Sequence, residues 1–218
     1  MARFRSHLAL TVWPIVVLLL LEVARLWPAL GGATEYAASS PESWLSLVAR
    51  SALVLAFFTA YVRGWALLRR ADPDGPGPYA SVGSRRLQRG AGGLAWAMVL
   101  GHLGLQWFMF LTVGPASLSH YEIFRETLSL PWVLGAYMLG FGAFGVFVSQ
   151  GLPAALRAMG YAERPETSRW LAVGCTFFTA IMLMLAVNIL SHFATGRAYW
   201  FSSEPPSSSP NDGRDSAP

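Results

Sequence analysis

The sequence predicts an all-α membrane protein, a bundle of five transmembrane helices, and three observations carry that prediction. Of the 218 residues, 54% are hydrophobic and only 13% are charged, about half the charged share of an ordinary soluble domain. Five stretches are long and apolar enough to cross a bilayer core, which takes roughly 20 residues each. The basic side chains, all of them arginine, also segregate by loop in the way a membrane protein requires.

The spans are expected at about residues 8–28, 44–68, 92–113, 131–156 and 169–193. The first follows "MARFRSH" and has the length of a signal peptide. It lacks a small-residue cleavage site in the right place and carries Glu22 and Arg25, so it is expected to be retained. Residues 1–200 then form one five-helix domain and residues 201–218, polar and rich in Pro and Ser, a disordered tail. The segment 71–84, "ADPDGPGPYASVGS", is expected as a Pro/Gly loop that cannot be helical.

A five-span arrangement places eleven arginines on one side: Arg3, Arg5, Arg63, Arg69, Arg70, Arg85, Arg86, Arg89, Arg157, Arg164 and Arg169. Five fall on the other: Arg25, Arg50, Arg125, Arg197 and Arg214. The positive-inside rule therefore predicts a cytoplasmic N-terminus and an outside C-terminus. Topology also accounts for the sequence pI near 9.6. No basic helix or aromatic–basic interleaving argues for nucleic acid.

The polar residues inside the spans are the functional candidates, because ionisable groups in hydrocarbon are costly. Glu22 and Arg25 are three apart on the first helix and can pair. His102 and Gln106 share one face of the third helix, and Asn188 and His192 repeat that spacing on the fifth. Each also has a plainer reading: interhelical hydrogen bonding for His102 and Gln106, headgroup or loop contacts for Asn188 and His192. Gly135, Gly140, Gly142 and Gly145 on the fourth span permit close approach of another helix or a flat cofactor, helix packing being the simpler cause. The single cysteine, Cys175, excludes a disulfide framework or a Cys-based metal site and is expected to pack.

The order and spacing of several short motifs resemble the five-helix, single-polypeptide cytochrome b membrane anchor of succinate dehydrogenases and fumarate reductases. "LQRGAG" leads after ten residues to His102, as in the third helix of that family. Arg5, His7 and Pro14 nearly reproduce its first-helix pattern, with Glu22 where the second histidine belongs. Gly32 and Tyr36 match its Gly-x-x-x-aromatic element, and "FVSQGL" with "MGYAERPETSR", ending in Arg169, run beside its fourth-helix motif. The similarity extends from about residue 3 to 193.

The resemblance implies two haems b held by four histidines, and here the sequence departs from it. Glu22, Ala60 or a neighbour, His102 and Phe147 stand at the four ligand positions. Only His102 remains a haem-ligand candidate, and two imidazoles per iron are needed. Fewer than two haems, and most simply none, are expected; no other metal is expected.

The resemblance further implies a membrane anchor and quinone-reactive subunit in the bacterial inner (cytoplasmic) membrane. It would dock an iron–sulfur subunit and a flavoprotein subunit of a respiratory complex II of the tricarboxylic acid cycle. Electrons would pass to or from quinone, with Glu22, Arg25, His102 and Gln106 as quinone or proton-transfer candidates. Flavin and clusters would belong to the partners, since the chain has neither a Gly-rich dinucleotide fingerprint nor the cysteines. Arg85, Arg86 and Arg89 are docking candidates, or topology signals only. No catalytic residue is assigned within the chain. The competing reading is a haem-free structural or transport-type subunit on the same scaffold.

Overall fold

A computed structural model describes residues 2–39, 43–71, 81–114, 118–161 and 164–196. The tail expected over 201–218 lies outside the described residues. Seven α-helices make up almost all of the described chain: α1 (Ala2–Leu26), α2 (Ala33–Ser39), α3 (Trp44–Ala71), α4 (Val82–Val113), α5 (Leu118–Ser129), α6 (Pro131–Ala158) and α7 (Pro165–Thr195). Helices α1, α3, α4, α6 and α7 are the five long and apolar enough to span a membrane, the first together with the short 3-10 turn Trp27–Gly31.

The five long helices overlap the expected spans, and the largest difference is at α4, which starts ten residues earlier than 92. Ser81 caps it by accepting the Ser84 backbone N–H at 3.1 Å. The expected loop over 71–84 is accordingly shortened at both ends, since Ala71 closes α3 and Val82 opens α4. A helix can run on here because the extension buries a face of its own: Arg85 is 8% exposed and Gln88 is fully buried.

Within α4 the buried positions Arg85, Gln88, Gly92, Ala95, Trp96, Gln106 and Met109 recur at helical spacing. On α1 the stripe Val12, Ile15, Val16, Leu18 continues into Glu22. The side chains that look anomalous in the sequence therefore lie on the faces that meet other helices. The most extensive interfaces join helices that are not consecutive, α4 with α6 and α1 with α3.

Small residues make the α4–α6 contact close. A Cβ on Gly92 would stand 2.7 Å from the Phe147 ring and from the Tyr61 hydroxyl, and one on Gly140 would strike Met98. Gly145 makes the same room for Leu183 of α7, whereas Gly135 and Gly142 meet nothing within 4 Å and lie on the exposed face. Packing thus accounts for two of these four glycines. Cys175 is buried with the main apolar cluster.

Two short helices, α2 and α5, were not foreseen. They cover the end of the bundle opposite the start of α4, where Tyr36, Tyr121, Phe124 and Phe193 form a second apolar cluster. Gly32 turns the chain into α2 with φ 98°, a conformation that favours glycine. Tyr36 then packs at 5.9 Å from Tyr121 and 6.2 Å from Phe193, ring centre to ring centre.

Candidate functional site

Glu22, Arg25, His102 and Gln106 come together in one polar group inside the bundle, joined by Arg50 and Tyr137. Arg25 donates through Nε to Glu22 Oε2 at 2.9 Å, the pair expected from their three-residue spacing. Glu22 Oε2 lies 3.7 Å from His102 Nε2 across the interior, although α1 and α4 themselves hardly touch. Arg50 Nη1 lies 3.9 Å from Glu22 Oε1 and donates to Gln106 Oε1 at 2.7 Å.

Arg50 and Tyr137 were missed. The topology count treats Arg50 as a flanking charge, but α3 begins at Trp44, so Arg50 sits nearly two turns inside the helix with its guanidinium turned inward. An ionisable residue at that depth was itself the signal. Tyr137 gave none, being one more aromatic in an apolar run. Its hydroxyl is 2.7 Å from His102 Nδ1, and its ring meets the imidazole edge-on at 5.9 Å.

Glu22, Arg50, His102, Gln106 and Tyr137 are among the residues that border a cavity of about 80 Å³, whose wall is almost wholly apolar, with Leu18, Phe124, Phe141, Phe144 and Leu190 among its lining. That is room for several waters or for part of a ring compound, since one water needs roughly 10–15 Å³ by the same measure. The form is that of a small-molecule site: apolar walls bind, and a few converging polar groups orient.

The direction of the hydrogen bonds follows from chemistry. Arginine only donates, so Gln106 Oε1 accepts from Arg50 and the amide nitrogen is turned to His102 Nε2 at 2.6 Å. Nε2 must then accept, which leaves the proton of a neutral imidazole on Nδ1, facing Tyr137.

The residues at the haem positions do not fit a haem b held by two imidazoles. Around the first pair, His102 Nε2 is engaged by Gln106 and its counterpart is Glu22, which supplies no imidazole. At the second, Phe147 is fully buried, with the Tyr61 ring 6.0 Å away, and Trp96 and Phe58 complete the packing around Tyr61. Ala60 is partly buried and supplies no ligand atom. Among the described residues no group of three or more His, Cys, Asp or Glu is placed to hold a metal ion.

The other candidates lie elsewhere. Arg85 is turned into the protein and donates to the Leu68 carbonyl at 3.1 Å, capping the end of α3, while Arg86 and Arg89 are exposed. Asn188 and His192 are buried, and His192 Nε2 meets the Tyr121 hydroxyl at 2.9 Å, so α5 rather than a headgroup is its neighbour. No protein-family model, curated protein or solved structure matches the chain.

Proposed function

We propose that the chain is the membrane anchor and quinone-reactive subunit of a succinate:quinone oxidoreductase-like complex in a bacterial inner membrane. The observation that carries this reading is the cavity: an apolar pocket within a bundle of membrane-length helices, with Glu22, Arg50, His102, Gln106 and Tyr137 among its lining residues. Apolar walls suit the ring and tail of a quinone, and the few polar side chains that border them suit its oxygens and the protons that accompany its reduction. The motif order from Arg5 to Arg169 supports the same family. Flavin and iron–sulfur chemistry belongs to partner subunits.

The orientation is part of the proposal. Arg25, Arg50 and Arg85 bond within the protein, and setting them aside leaves ten arginines on the N-terminal side against three. That asymmetry favours a cytoplasmic N-terminus. Arg86 and Arg89 then face the cytoplasm as the docking charges, with Arg85 serving the fold.

The test is purification of the tagged full chain from its native membrane. The expected result is co-purification of a flavoprotein and an iron–sulfur protein with succinate–dye reductase activity, and release of that activity from the membrane by Arg86→Glu with Arg89→Glu. A chain that purifies without flavin or an iron–sulfur signal overturns the assignment and favours the structural or transport reading. Activity that stays membrane-bound in the double variant removes the arginines from docking.

A further inference from the structure

The chain of bonds that begins at Arg50 ends on a group with a hydrogen still to give. Arg50 carries only N–H donors and donates to Gln106 Oε1. Gln106 donates to His102 Nε2, and His102 Nδ1–H donates to the Tyr137 oxygen. Among the described residues Tyr137 has no hydrogen bond other than the one to His102. Its own O–H hydrogen is therefore uncommitted, and the side chain lines the cavity. A part-buried hydroxyl beside an apolar cavity favours an occupant that offers it an acceptor.

We propose that the Tyr137 hydroxyl is the hydrogen-bond donor that the cavity offers its occupant, which is an apolar ring compound presenting a carbonyl-type oxygen. Arg50 and Gln106 are positioning residues in this scheme. They hold His102 as an acceptor at Nε2, and His102 in turn supplies the bond that leaves the tyrosine hydrogen pointing away from it. Reversing any link reverses those after it: a His102 that accepted at Nδ1 would take the tyrosine hydrogen for itself. The proposal rests on the reading of the cavity as a quinone site and adds the atom that recognises the carbonyl.

The edge-on packing of His102 limits the alternatives. Its ring stands at 86° to Phe124 and 90° to Tyr137, with centres 5.6 Å and 5.9 Å away. The imidazole is thus wedged between two aromatic rings, and the Tyr137 bond cannot be exchanged for another by turning the ring in place. The tyrosine hydroxyl is thereby left as a donor beside the cavity.

The test uses the full chain in lipid nanodiscs with 15N-labelled histidine. Its probes are 2-methyl-1,4-naphthoquinone and 2-methylnaphthalene, the same shape without carbonyls. Wild type is expected to bind the quinone about tenfold more tightly than the hydrocarbon, the worth of a buried bond to a carbonyl. Tyr137→Phe should reduce that preference to within about twofold while hydrocarbon affinity is kept. Arg50→Met should lower the preference and move the His102 nitrogen signals, assigned with a His102→Asn control, from a pure Nδ1–H form to a tautomer mixture. A purely structural role for Arg50 would leave those signals in place.

A wild type that binds neither probe overturns the quinone-site reading itself. A wild type with no preference, or a Tyr137→Phe chain that keeps the full preference, overturns the role of Tyr137 and leaves the site standing. Should the Phe variant not fold, the carbonyl stretch of 13C-labelled quinone bound to wild type decides. A lowered stretch that shifts in D2O supports the tyrosine donor, and an unshifted one overturns it.

Discussion

Helix α4 presents two different surroundings along the same inward face. Near its first turns, Gly92 and Trp96 lie under Tyr61, Phe58 and Phe147, with Tyr61 centred 5.8 Å from Trp96 and 6.0 Å from Phe147. From His102 to Gln106 the same face looks into a cavity. Both regions occupy positions where the resembled family would place a haem. The first has been filled by interlocking rings with only one long side-chain hydrogen bond, from the Tyr61 hydroxyl to the Arg89 carbonyl at 3.5 Å, and such rings collapse into dense packing. In the second, hydrogen bonds of 2.6–2.9 Å fix each polar side chain to another, so they hold a gap that apolar residues would have closed. Directional bonding maintains a cavity where shape-filling removes one.

That contrast yields three further measurements. The largest effect is expected at Phe147→Ala, which removes a fully buried ring from the packed region and should cost about 3–5 kcal/mol. Reversible unfolding in mixed micelles measures it, and the His102 nitrogen signals should be unchanged. A cost near zero would mean that the rings do not support the bundle. Glu22→Gln in the bonded region should cost less, about 1–2 kcal/mol, because the carboxylate side chain retains 26% exposure and some solvent screening. A cost larger than that of Phe147→Ala would reverse the comparison. The smallest effect is expected at Gly135→Ala with Gly142→Ala, where added methyls meet open space and helix propensity should contribute about 0.5–1 kcal/mol of stabilisation per site. Destabilisation there would show that another molecule covers this face.

Much of this arrangement is readable in the sequence, and the unread part has a physical cause. Hydropathy locates the spans, and the 3.6-residue period places Glu22, His102 and Gln106 on faces that also carry apolar core residues. Period says which face is inward but not which helix it meets, so the meeting of Arg50 with Gln106, 56 residues apart, was not foreseen. Counting Arg50 among the loop charges also hid an ionisable residue within a span. The two short helices escaped for another reason. In α5 the buried positions His120, Tyr121, Phe124 and Leu128 follow helical spacing, yet a polar twelve-residue segment fails a test designed for membrane spans. Gly32 and Tyr36, noticed for their resemblance, prove to be the turn and the ring that fasten α2 to the end of the bundle.

The pairing of α4 with α6 bears on how the protein is made. A chain synthesised from its N-terminus delivers α4 to the bilayer before its principal partner exists. At that stage Gln88 and His102 have no α6 against which to bury, and polar side chains facing lipid are costly. Helix α3 is already present and Arg50 can engage Gln106, whereas Tyr137 and Gly151 arrive only later. A waiting interval is thus built into biogenesis, during which α4 must be sheltered by the insertion machinery or held by α3. Substitutions at Arg50 should consequently lower the yield of correctly inserted chains during synthesis, even where the completed bundle would tolerate them.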